Sequence, residues 1–323
     1  MSRMYRRFIA FALSLSAFAL PVVAQAFPDR PVRLVVPFLA GGTVDSTARI
    51  LAQKLSEQTG QQFIVENRGG AGGNIGSEAV AKSDADGYTL LHTAPPLVVN
   101  QYLYNSMPYD AGKDFAPVGL FAVTPVVLMV SNDLPVNSVE ELIAYAKANP
   151  GKVSFGSAGV GTIPHLAGEL FKSMANVQIV HVPYKGTSAA MNDLVGGHIQ
   201  ILFDLLPSSL SQISSGRVRA IANAGSTRPA VLADLPTISE QGLKGYDAAS
   251  WVAVVAPAKT PDPVLTKLRT EMAAVLKAPD IVKRLSDLGS APGTADEAEV
   301  RKFLKTETDK WAEVIKTSGA KEK

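Results

Sequence analysis

Residues 31–43 read Pro-Val-Arg-Leu-Val-Val-Pro-Phe-Leu-Ala-Gly-Gly-Thr, and this stretch decides the fold. Its first part is a valine-rich run of strand length. Gly41-Gly42 follows, and beyond it Ala48, Leu51, Ala52 and Leu55 fall on one face of a helix that Gly60 stops. The same unit then recurs. Gln62–Val65 is a strand, the glycine-rich stretch Gly69–Gly76 leads into a helix through Ala81, and Asp86-Gly87 turns the chain into a strand over Tyr88–His92. Strand and helix alternating in this way predict a parallel sheet with helices on its faces.

Outward from this core, Phe115 through Val130 is a long apolar run with a single internal Pro125, long enough to carry the chain from one lobe into another. The α/β alternation then restarts. Ser138-Val139-Glu140-Glu141 is a capping box, Val153–Phe155 a strand, and Thr162–Met174 a helix with Ile163, Leu166, Ala167, Leu170 and Phe171 inward. Strands follow at Ile179–Val182, Ile199–Phe203 and Val218–Ala222, and a last one at Trp251–Ala256. Pro261-Asp262-Pro263 opens one helix. The capping box from Thr294 to Glu297 opens another, striped by Val300, Phe303, Leu304, Trp311, Val314 and Ile315 and expected to pack back on the first lobe.

The amino terminus sets the compartment. Arg3, Arg6 and Arg7 precede an apolar run from Phe8 to Leu20, which Pro21 breaks and Ala24-Gln25-Ala26 ends, the pattern of a cleaved secretory signal. The run is marginal for a membrane span of about 20 residues and contains two serines. The expected product begins at Phe27 in the periplasm. Losing three arginines moves the formal charge from +2 to about −1, so nucleic acid is not an expected partner. With no cysteine, the chain has no lipobox, no disulfide and no thiolate metal site. The roughly 297 remaining residues suit two cores better than one.

Three segments share one design of strand, glycine-rich loop and helix start: residues 37–43, 67–73 and 156–162. Glycine lets backbone approach a ligand, and a helix start offers N–H groups to carboxylate or phosphate. In open α/β sheets such loops gather where ligands bind. The first and third, one per lobe, are read as the binding pair. Enzyme motifs fall short. The P-loop-like Gly156 to Thr162 lacks its lysine, the dinucleotide fingerprint from Gly70 has its third glycine one place late, and no serine sits in an elbow motif. The four histidines are too scattered for a local metal motif, though His165 lies behind the third loop within reach of a ligand. Asp45 reads as a carboxylate tethering its own loop. Asp204 ends a hydrophobic strand and reads either as a ligand contact or as a cap for the helix after Pro207.

Taken together, the segments resemble the Bug family, the substrate-binding receptors of tripartite tricarboxylate transporters. The matching residues are Val36-Pro37-Phe38 with Ala40-Gly41-Gly42 and Asp45, Glu66-Asn67-Arg68, Gly70 through Gly76, Asp86 through Leu91, Gly161 through Phe171, Val182 through Gly186, Leu235-Pro236-Thr237 and Ala256-Pro257-Ala258. They cover the mature chain in order. Gly69 stands where the family commonly has proline. The resemblance implies a type II periplasmic-binding-protein fold, a Venus flytrap of two α/β lobes, each a mostly parallel sheet flanked by helices, joined by two hinge crossings. Residues 27–122 and 226–323 would form the first lobe and 123–225 the second, crossing near Phe121–Thr124 and Ala224–Ser226. It further implies that Phe38, Ala40, Gly41, Gly42 and Thr43 face Ser157, Ala158, Gly161 and Thr162 across a ligand carboxylate, with Thr93 and Asp204 lining the cleft. The expected function is capture of a small organic carboxylate and its delivery to integral-membrane transporter subunits, by a monomer that needs no cofactor or metal and has no catalytic residue. A sensor feeding a signalling partner, and a secreted enzyme using Asp204 and His165 as acid and base, are the alternatives.

Overall fold

The computed structural model describes residues 27–320; the export signal expected over residues 1–26 lies outside the described residues. Strand β1 (Val32–Val36) is buried because parallel neighbours flank it, β2 (Phe63–Asn67) on one edge and β3 (Thr89–Thr93) on the other. Helix α1 (Thr43–Thr59) connects the first two and buries Ala48, Leu51, Ala52 and Leu55. It ends at Gly60, whose left-handed backbone (φ 71°) lets its N–H reach the Ser56 carbonyl. Helix α2 (Asn74–Ala81) leads to β3, and α3 (Pro96–Leu103) follows it.

Strand β4 (Phe115–Val130) belongs to two halves at once. Its sixteen residues span about 50 Å. From Phe115 to Pro125 it pairs antiparallel with β9 (Ala249–Pro257), which in turn lies antiparallel to β3. From Val126 to Val130 it pairs antiparallel with β7 (Ile201–Leu205), and over nearly the same stretch with β8 (Arg219–Asn223). In the second half β5 (Val153–Ser157) lies parallel between β6 (Ile179–Pro183) and β7. The full order is β2-β1-β3-β9-β4-β7-β5-β6, with β8 and the two-residue β10 (Ala291–Pro292) also on β4. Each half therefore has a parallel triplet joined to antiparallel strands at the crossing.

Helices α4 (Val139–Ala148), α5 (Ile163–Ala175), α6 (Thr187–Val195) and α7 (Leu206–Ser214) clothe the second sheet. Helices α8 (Asp262–Lys277), α9 (Pro279–Asp287) and α10 (Glu297–Ser318) complete the chain. One apolar core runs through both halves along β4, joining Leu91, Leu97 and Val255 to Leu128, Phe155 and Phe203, and including Trp311 and Val314 of α10. Two others lie on single faces, one under α1 and α8 and one under α6 and α7. Each fully buried large aliphatic or phenyl group contributes about 1.5–3 kcal/mol.

Two placements differ from the sequence reading. Residues 226–248, assigned there to the first lobe, are bonded to the second half: Val139 N–H donates to Gln241, Gln241 donates to the Ile221 carbonyl, and the Tyr246 hydroxyl donates to the Ala167 carbonyl. The chain rejoins the crossing only at Ala248, whose N–H donates to the Ala224 carbonyl (2.7 Å). Helix α10 does not return to the first half alone, because it packs on α3 of the first and α5 of the second. Among the described residues no helix is long and apolar enough to cross a membrane.

Candidate functional site

The first loop leaves β1 at Pro37 and enters α1 at Thr43. Gly42 starts the helix in extended conformation with no side chain capping it, and residues 39–43 are exposed. Backbone amides at such a start carry partial positive charge without a built-in partner. Asp45 holds the loop from behind. It accepts from Gly41 N–H (2.9 Å), from Arg49 through two nitrogens (3.0 Å each) and from Asn67 Nδ2 (3.0 Å). Asn67 Nδ2 also donates to the Phe38 carbonyl (3.1 Å). The Arg49 contact holds the Asp45 carboxyl down at about 2. Asp45 is buried and acts as a brace. Phe38 is half-buried over Gly73.

The second glycine stretch is occupied by packing. A Cβ on Gly76 would stand 2.7 Å from the Arg68 carbonyl oxygen and 2.8 Å from Pro37 Cα, and one on Gly72 would stand 2.7 Å from the Tyr104 hydroxyl. Asn100 Nδ2 donates to the Gly72 carbonyl (3.0 Å), tying this stretch to α3.

The loop of the second half leaves β5 at Ser157 and enters α5 at Ile163. Thr162 caps the helix, accepting from His165 N–H, and its hydroxyl donates to the Gly159 carbonyl (2.7 Å). Ser157 is buried, Ala158, Gly161 and Thr162 are half-buried, and Val160 is exposed. Gly161 (φ +77°) is where the halves meet: a Cβ there would lie 2.6 Å from Cδ1 of Leu103, the last residue of α3. Thr93 lies three residues before α3 at the end of β3 and is buried opposite Ala253. The structure thus brings the second-half loop against the element that follows Thr93.

His165 and Asp204 stand differently from the remaining predicted residues. His165 is buried inside its own half, Nδ1 accepting from Gly161 N–H (3.1 Å) and its ring against His181. Asp204 is buried and accepts from the hydroxyls of Thr187 (3.0 Å), Ser208 (2.7 Å) and Ser209 (2.9 Å). Burial raises its carboxyl, and these hydroxyls oppose the rise. Both starts of α6 and α7 are fastened to this one carboxylate. The sequence did not single out His181 or Thr187, because each enters through strand register and loop closure that spacing does not encode. Ser157 Oγ and His181 Nε2 are 2.7 Å apart, the distance of a nucleophile and its base. Burial depresses that imidazole to about 4, which leaves it a weak base at neutral pH.

Each half thus carries one glycine-containing loop that leaves a strand and opens a helix, at Gly42 in the first and Thr162 in the second. Residues 47–320 match the family model described as "Tripartite tricarboxylate transporter family receptor". This chain belongs to that receptor family. The receptor is 37% identical over 315 residues to the protein BugT of Bordetella pertussis, covering 97% of each chain. Among solved structures it is similar to an R. palustris protein with adipate (40% identity, TM-score 0.78, 91% of this chain and 99% of that one). It is also similar to MatC of Rhodopseudomonas palustris with bound malate (30% identity, TM-score 0.74, 90% and 100%). The receptor shares their fold, two α/β lobes of the periplasmic-binding-protein type.

Proposed function

We propose that this receptor captures a small organic carboxylate in the periplasm, after cleavage behind Ala26, by closing its lobes, and presents the closed form to membrane transporter subunits. The lobes are residues 27–122 with 249–323 and residues 123–248, the stretch 226–248 belonging to the second. Phe38, Ala40, Gly41, Gly42, Thr43 and Thr93 contribute from one side, and Ser157, Ala158, Gly161 and Thr162 from the other. What supports this is the contact of Gly161 with Leu103, which sets one glycine-started helix against the other lobe. His165 and Asp204 act from behind the binding surface.

Ligand that bridges both lobes favours the closed state in proportion to its differential affinity. Micromolar binding needs about 8 kcal/mol. Helix starts supply about 0.3–2 kcal/mol each and charge-assisted hydrogen bonds about 1.5–3. Several amides must therefore converge on the anion. A weak base at Ser157 and the use of Asp204 in its own fold speak against turnover.

Adipate and malate, the ligands of two relatives, are the natural probes. Calorimetry is expected to show saturable 1:1 binding of at least one of them. Gly161→Val, which drives a branched side chain into Leu103, is expected to weaken it at least tenfold with the fold retained. Unchanged affinity in that variant would reject the site. Chemical conversion of the probe would reject the receptor reading.

A further inference from the structure

Beneath the second-lobe loop lie two imidazoles in contact. His165 of α5 and His181 of β6 have ring centroids 4.1 Å apart at 31°, and Phe155 stacks on His181 at 4.8 Å and 29°. The parallel register of β5 and β6 sets Phe155 opposite His181. Each imidazole gives one nitrogen to the loop. Gly161 N–H donates to His165 Nδ1 (3.1 Å), and Ser157 Oγ meets His181 Nε2 (2.7 Å). The Ser157 oxygen also accepts Gly159 N–H (3.2 Å). An imidazole nitrogen accepts a hydrogen bond only while unprotonated, so the Gly161 contact requires a neutral His165 with its proton on Nε2. The surroundings agree. Burial, then His181 and Lys172, depress His165 to about 3, and burial and Lys172 depress His181 to about 4. Glu169 of α5 is ion-paired with Lys172.

We propose that His165 and His181 are positioning residues: a neutral stacked pair that takes up the Gly161 and Ser157 ends of the Gly159–Thr162 turn, fixes its shape and so holds the Val160 N–H and the start of α5 facing the ligand's anionic group. This rests on the anion-binding reading of that loop. Gly159 (φ +133°) and Gly161 (φ +77°) adopt conformations open to glycine and costly for other residues, and such a turn left unbraced samples many others. Ligand would then have to order the turn on binding, and affinity would fall.

The test uses two pairs of variants. His165→Asn offers Oδ1 where Nδ1 stood, and His181→Gln offers an amide where Nε2 stood; His165→Leu and His181→Leu fill the space and remove the bond. Affinity for adipate and malate and exchange of the Gly161 amide in ligand-free protein are measured together. The Asn and Gln variants are expected to bind within about threefold of wild type with the Gly161 amide protected. The Leu variants are expected to bind about tenfold or more weakly with that amide exchanging faster, at unchanged circular dichroism. Nitrogen NMR of the wild type is expected to show His165 as the neutral Nε2–H tautomer at pH 7. An Nδ1–H tautomer or an imidazolium there overturns the proposal even if the Leu variants do not fold, as do Leu variants with wild-type affinity. Wild-type protein with the tautomer and protected amide that binds neither probe rejects the anion-binding reading and leaves the brace standing.

Discussion

Asp204 sits where a hydrophobic strand ends, and the sequence left it between ligand contact and helix cap. The three hydroxyls on its carboxylate favour the second role, fastening α6 and α7. Asp204→Ala is therefore expected to cost about 1–3 kcal/mol, since it strands the buried Ser209 hydroxyl and frees the half-buried Thr187 and exposed Ser208 hydroxyls from their acceptor. Chemical denaturation checks this, and an unchanged midpoint would return Asp204 to the cleft. Asp45 was legible because its partners lie within one turn of helix and a neighbouring loop. The His165–His181 contact was not, because it depends on which residue of β6 lies opposite Phe155.

At the scale of elements, the βαβ units, the glycine loops and the long crossing strand all follow from period and composition. Strand order does not, and so β9, inserted antiparallel between β3 and β4, could not be foreseen from apolar runs. The course of 226–248 escaped for a related reason: β8 and β9 pair with successive stretches of β4, and the chain makes an excursion onto the second half between them. Helix α5 carries Gly168 in its interior, where alanine would ordinarily be better by about 1 kcal/mol. A Cβ there would lie 2.1 Å from the Phe155 ring. Gly168→Ala is accordingly expected to destabilise by about 1–3 kcal/mol and to disturb the ring on which His181 stacks. A raised melting temperature would show that α5 moves freely away from β5.

For the whole molecule, buried neutral histidines dictate the acid response. His92 is fully buried with Nε2 on Thr47 Oγ1 (3.0 Å), and burial depresses it, like His165, to about 3. Unfolding releases both to the ordinary value near 6.5, so the unfolded chain binds the extra protons. Stability is then complete above pH 6.5 and falls as pH drops toward 3, by up to about 1.4 kcal/mol per pH unit for each histidine. Urea titrations at pH 6.5 and 5 are expected to differ by about 3 kcal/mol from His92 and His165, with His181 adding to the loss. A midpoint that does not move would mean that these histidines are protonated in the native state.

The chain contains two tryptophans, and both indole N–H groups donate to the same buried carboxylate, Glu307 (Trp251 at 3.0 Å, Trp311 at 2.9 Å). Lys310 adds its ammonium to Glu307 and donates to the Asp247 carbonyl. Trp251 lies opposite Val123, where β4 passes from one lobe to the other. Under the proposed closure, both tryptophans report from beside the crossing strand β4. Addition of adipate is expected to shift that emission, and Glu307→Gln to blunt the shift. Under that closure the protein carries its own unlabelled optical gauge of domain motion, built around one buried carboxylate at the crossing strand.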